Sequence, residues 1–198
     1  MAQAPVFKET YEGYLTRIAG LDLAAKCEAL GFEMESGKAR LACFNRTYWV
    51  GPKGIHDAAG KTPDLSVSVI LCKYLLMCSG QSPVAQDLVT FKDFRDAAPL
   101  GHYFSNAVQG AIVNKFKGDI GALEKACVRL GGRPYGADLS YQVKYHFRGL
   151  PKVPVILLFN DAEEGFAAQC TLLFERSAES YLDMESLAML GAALAHWL

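Results

Sequence analysis

Asp161, Glu163 and Glu164 crowd together between two apolar segments, and no other feature of the sequence is as chemically pointed. If Tyr141–Phe147 and Val153–Phe159 pair as a hairpin about Leu150-Pro151, Asp138 is carried to the same end of the sheet. Carboxylates brought that close repel one another unless a cation, an arginine or a proton sits among them. Asp138, Asp161 and Glu163 are therefore candidate ligands for a divalent cation. The competing reading is a solvated turn in which Asn160-Asp161 makes the bend.

Histidines are the next residues to weigh. His56 and His102 fall in turn-like segments, His146 on the wet face of a strand and His196 in a closing helical turn, where a cation meets the helix dipole favourably. Capping or solvation accounts for each. His102 stands out because His102-Tyr103-Phe104 sets a polar tip beside two aromatics just before a helix. Trp49, like Tyr103, lies near the end of an expected element, and these three are the candidate ligand-binding residues. The bland alternative is that such rings are core.

Cys27, Cys43, Cys72, Cys78, Cys127 and Cys170 sit in apolar segments with no C-x-x-C pair. Thiols of this kind behave as small buried hydrophobes, and Cys72 and Cys78 point to different helix faces, wrong for a shared metal. All six are expected to be reduced, which points to a cytoplasmic, reducing compartment. Phosphate-cradling loops, the G-x-S-x-G elbow and H-E-x-x-H are absent, so no cofactor can be named.

The elements that must position these residues follow from hydropathy period. Phe7, Tyr11, Tyr14, Leu15 and Ile18 share a helical face, and Leu21–Leu30 forms a second helix closed by Gly31. Phe32 and Met34 alternate with charge, Ser36-Gly37-Lys38 turns, and Arg40–Val50 reads as one long aromatic-rich strand before Gly51-Pro52-Lys53-Gly54. Asp64 caps a buried helix, Leu65–Cys78, ended by Ser79-Gly80. Phe104, Val108, Ile112 and Phe116 recur every fourth residue in another helix, and Asp119 caps the next. Tyr141–Phe147 alternates, Val153–Phe159 is continuously apolar, Phe166–Phe174 makes a third strand, and Asp183 caps a final helix. The expected fold is α+β: a single domain with an antiparallel sheet of about five strands and helices mainly on one side.

Composition bounds the rest. Of the 198 residues 51% are hydrophobic and 21% charged, a globular profile, and the net charge of −1 speaks against a general nucleic-acid binder. Leu65–Cys78 is too short to span a membrane, which takes about 20 apolar residues, and the N-terminus lacks the pattern of a signal peptide.

Several segments carry a family resemblance. Ala137-Asp138 leads into an aromatic strand, and Leu150-Pro151-Lys152-Val153-Pro154 into an apolar one. Asn160-Asp161-Ala162-Glu163-Glu164-Gly165-Phe166, Leu173-Phe174-Glu175, Ser180-Tyr181-Leu182 and Met184-Glu185 follow, with Asp64-Leu65, Tyr74-Leu75 and Thr90-Phe91 earlier. Together they resemble the uncharacterised domain-of-unknown-function family 3786, found largely in anaerobic bacteria and archaea. The resemblance implies the fold and a cytoplasmic setting in anaerobic cofactor or one-carbon metabolism, and assigns no reaction. Relatives at times carry an iron–sulfur module, but no cysteine spacing of that type occurs here. Two functions remain open: a non-catalytic binding or accessory domain for a small molecule, metallocofactor or partner protein, and a metal-dependent hydrolase or transferase using the acidic corner.

Overall fold

A computed structural model describes residues 5–77, 87–137 and 139–198, residues 5–8 by their backbone alone. Cys78, the Ser79-Gly80 helix stop and Asp138 lie outside the described residues. Two helices come first, α1 (Pro5–Ala19) and α2 (Leu23–Leu30). The Asp22 carboxylate caps α2 by accepting from Ala25 N, and Gly31, at φ 66°, closes it in the left-handed conformation that costs glycine least.

Strands β1 (Glu33–Glu35), β2 (Lys38–Cys43), β3 (Arg46–Gly51) and β4 (Gly54–Asp57) form an antiparallel sheet in that order. The single strand expected over Arg40–Val50 is instead a hairpin, with Cys43 opposite Arg46 across the two-residue turn Phe44-Asn45. Phe44 turns the chain at φ 54°, a left-handed conformation uncommon for a bulky residue. Its ring packs edge-on against Phe147 and Trp197, at 6.1 and 5.7 Å, and its N–H donates to Gly149 O at 2.9 Å. Tertiary packing thus holds a turn that local sequence does not announce.

Helix α3 (Leu65–Met77) runs from the Asp64 cap, whose carboxylate accepts from Val67 N at 2.9 Å. After β5 (Leu88–Thr90), helix α4 (Gly101–Tyr103) passes through a π-helical stretch, Phe104–Gln109, into α5 (Gly110–Phe116). Wider π turns rotate less per residue, so the four-residue spacing of Phe104, Val108, Ile112 and Phe116 stays on the buried side. Helix α6 (Ile120–Arg129) starts at its Asp119 cap.

The second sheet is antiparallel, ordered β5-β9-β8-β7-β6, with β6 (Arg133–Pro134), β7 (Val143–Leu150), β8 (Val153–Asn160) and β9 (Gln169–Glu175). Strands β7 and β8 pair as a hairpin as expected, with the turn at Pro151-Lys152, one residue later than the expected Leu150-Pro151. Phe166, expected at the start of β9, lies outside it and is 74% exposed, because Gly165 turns the chain and Phe166 bridges back to Glu163. Tyr141 likewise precedes its strand.

One face of this sheet carries Val155, Leu157, Phe159, Leu172 and Phe174 into the core. Helix α7 (Met184–Trp197) and the Gly101–Phe116 helix cover it: Leu190 lies beside Gly149 and Val155, and Phe104 meets Phe174 edge-on at 6.0 Å. On the opposite face Ile156 and Leu158, 3% and 2% exposed, stand apart from that core. Lys144 and His146 flank them from β7, and Thr171 and Leu173 from β9, and the Lys144 ammonium bonds the Ala137 and Leu139 carbonyls.

Candidate functional site

The alternation of β7 sends His146 and Arg148 to the open face, and β6 sets Arg133 directly opposite His146. Arg133, His146 and Arg148 therefore rise from one side of the sheet. The β7–β8 turn adds Lys152. The four line a cleft of about 660 Å³ whose walls include Phe44, Asn45, Pro154, Glu175, Ser177 and Tyr181.

Each wall is fixed from behind. The Asn45 amide donates to Arg129 O at 2.9 Å, tying the Phe44-Asn45 turn to the end of α6. The buried Tyr74 hydroxyl donates to Leu30 O at 2.6 Å and accepts from Lys152 N at 3.1 Å, which locks the β7–β8 turn to α2 and α3. Tyr74 also lies 5.8 Å, ring to ring, from Tyr181 in the cleft wall. A Cβ on Gly31 would stand 3.2 Å from Pro151 and 3.3 Å from Lys152, so glycine lets this turn seat closely.

The charge in the cleft is unbalanced. Arg133, Arg148 and Lys152 form no ion pair with any carboxylate among the described residues. Glu175, the one acid among the described lining residues, accepts from the Ser177 hydroxyl at 3.3 Å. Two guanidinium forks, an ammonium and an imidazole on one wall can take a multiply charged anion, the forks pairing with carboxylate or phosphate oxygens two at a time.

Of the acidic corner, Asp161 and Glu163 fall among the described residues and Asp138 does not. Asp161 and Glu163 stand at the far end of the same sheet and share a polar cavity of about 460 Å³ with Leu139, Gln142 and Asn160. Both Asp161 carboxylate oxygens accept from Gly118 N at 2.9 Å, and Oδ1 also takes Ala162 N at 2.8 Å. Gln142 donates to Glu163 at 2.7 Å and accepts from Asp161 N at 2.7 Å. These bonds stitch the α5–α6 turn and the strand ends together. Among the described residues no group of three or more His, Cys, Asp or Glu is placed to hold a metal.

The aromatic candidates separate. Trp49 stacks on His56 at 5.6 Å on the N-terminal sheet, and the cavity it lines contains neither His102 nor Tyr103. His102 meets the Asn106 amide at 2.9 Å, and Tyr103 is 48% exposed. Reading the sequence by motif missed Arg133, Arg148 and Lys152. The available signal was the basic stripe Lys144, His146, Arg148 along one strand face.

An α+β protein with helices over one face of its larger sheet and a cationic cleft on the other is thus defined. The chain belongs to the family described as domain of unknown function (DUF3786), whose model matches residues 22–197. No curated protein and no solved structure matches it. Leu150, Pro151, Lys152, Pro154, Glu175 and Tyr181, among the residues on which the resemblance rests, supply much of the cleft wall.

Proposed function

We propose that this chain is a non-catalytic binding domain, a single folding unit whose ligand is a small, multiply charged anion. The observation that carries the reading is the trio Arg133, Arg148 and Lys152, gathered in one cleft without a carboxylate partner among the described residues. A cavity of about 660 Å³ lies within the range of about 300–1,000 Å³ usual for small-molecule sites. Glu175 and Ser177, which also line the cleft, offer acceptors to a ligand hydroxyl or amine. A phosphorylated metabolite and a polycarboxylate share this chemistry. The setting is proposed as the reducing cytoplasm of anaerobic bacteria and archaea; the five described cysteines, free thiols, support the reducing compartment, and the family resemblance alone suggests the organisms.

Calorimetric titration with pyrophosphate and with citrate, at low and moderate salt, tests the reading. Binding by either, weakened about tenfold in Arg148→Ala, or about 1.4 kcal/mol, is the expected result; whichever binds names the source. No heat with either probe, or equal affinity in the variant, overturns it. The alternative, a metal-dependent hydrolase or transferase using Asp138, Asp161 and Glu163, would gain from a stoichiometric divalent metal in elemental analysis together with turnover.

A further inference from the structure

The N-terminal sheet holds a second constellation, independent of the cleft. Lys38 Nζ lies 2.8 Å from His56 Nε2, and the His56 ring stacks on Trp49 with an interplanar angle of 7°. The other ring nitrogen, Nδ1, stands 3.2 Å from Asp57 O, so both nitrogens of His56 are within hydrogen-bond reach of a partner. Glu33 and Glu35 are both taken by Arg40, at 2.7 and 3.5 Å, and Asp57 Oδ1 by the backbone N–H groups of Ala59 and Lys61. Lys38 thus reaches no carboxylate among the described residues.

Two cavities, of about 620 and 340 Å³, meet at this pair and share Ser36, Lys38 and His56. The larger is floored by Leu15, Pro52 and Ile55, with Lys53 on its rim. Gly51 leaves room for the Lys38 stem: a Cβ there would stand 3.1 Å from Lys38 Cγ. The Tyr11 hydroxyl in the larger cavity's wall is buried with no hydrogen-bond partner among the described residues; the Ile55 backbone and Ser68 side chain are near enough to be felt, yet neither completes a bond. That hydroxyl is sealed from the cavity and belongs to its wall, not to the contacts an occupant makes.

We infer that this cavity is a second binding site, for an amphiphilic monocarboxylate: an apolar body on Leu15, Pro52 and Ile55, and its carboxylate between Lys38 and Lys53. The occupant differs in kind from the polyanion of the cleft, because two ammonium groups here border an apolar floor instead of lining a polar wall.

Benzoate and hexanoate are the probes, with benzyl alcohol and hexanol as uncharged matches. Titration followed by ligand-observed NMR on the full chain gives the affinities. Either carboxylate should bind wild-type protein at least tenfold tighter than its alcohol, and Lys38→Met should abolish that preference while leaving alcohol binding unchanged. Lys53→Met, a surface change, should reduce the preference severalfold and guards against misfolding of the first variant. Arg148→Ala should leave benzoate binding as it was. Equal binding of acid and alcohol by wild-type protein, or loss of benzoate binding in Arg148→Ala alone, overturns the inference.

Discussion

Tyr74 shows what single side chains contribute here. Its hydroxyl joins Leu30 O to Lys152 N through the protein interior, and Tyr74→Phe would leave a buried carbonyl and a part-buried N–H without it. Such losses cost about 1–3 kcal/mol, so urea titration should show the variant destabilised by that order. Because Lys152 N loses its tether, anion affinity at the cleft should fall with stability. The cysteines behave oppositely, as inert packing. Burial pushes the thiols of Cys43, Cys72 and Cys127 up to about 12, and that of Cys170 up as well. Thiolate is the reactive form, so peptide mapping after brief iodoacetamide treatment of native protein at pH 8 should find these four unmodified. Full modification of any of them would contradict the packing. In denatured protein prepared anaerobically, titration should count six thiols.

Among the elements, α7 shows charge and shape acting together. Burial raises the Asp183 carboxyl, but the hydrogen bond from Lys73, the nearby Ser186 hydroxyl and the hydrogen bond from the Ser186 backbone N–H outweigh it and hold the group below its usual range. Lys73, at 2.7 Å, is raised chiefly by its hydrogen bond to Asp183. The carboxylate's contribution is present above its unfolded pKa, about 3.9, and is lost as pH falls through the depressed folded value. The lysine's contribution is present below about 10.4 and lost as pH rises through its raised value. Asp183→Asn should therefore flatten the acid limb of the stability curve below about pH 4 while keeping the cap; Asp183→Ala should also lose the cap, about 1 kcal/mol. Further along α7, a Cβ on Gly191 would stand 2.6 Å from the Phe104 ring. Gly191→Ala should cost about 1–3 kcal/mol through overpacking at the π-helical stretch, measurable as a lowered Tm.

Across the whole molecule, what the sequence disclosed and what it hid have physical causes. The Asp64, Asp119 and Asp183 caps, the β7–β8 hairpin and the four-residue stripe of the long helix were legible because each is local: a carboxylate near a free N–H, or a period matched to an element. The Phe44-Asn45 turn was not, because Phe147, Trp197 and Gly149, far along the chain, stabilise its left-handed phenylalanine. The cationic cleft was hidden for the same reason. Arg133, Arg148 and Lys152 come from three elements, and a net charge of −1 conceals a local excess. The two sheets meet where Phe44 N bonds Gly149 O, and the proposed single folding unit should unfold by calorimetry in one transition, with fluorescence and circular dichroism coinciding. The central claim is the cleft, and NMR shift mapping of isotope-labelled protein with pyrophosphate and with citrate tests it most directly. At least one of the two should move the His146 ring and the Arg148 and Lys152 signals together, saturably, and leave Asp161 and Trp49 still. Shifts confined to other surfaces, or none with either anion, would contradict it.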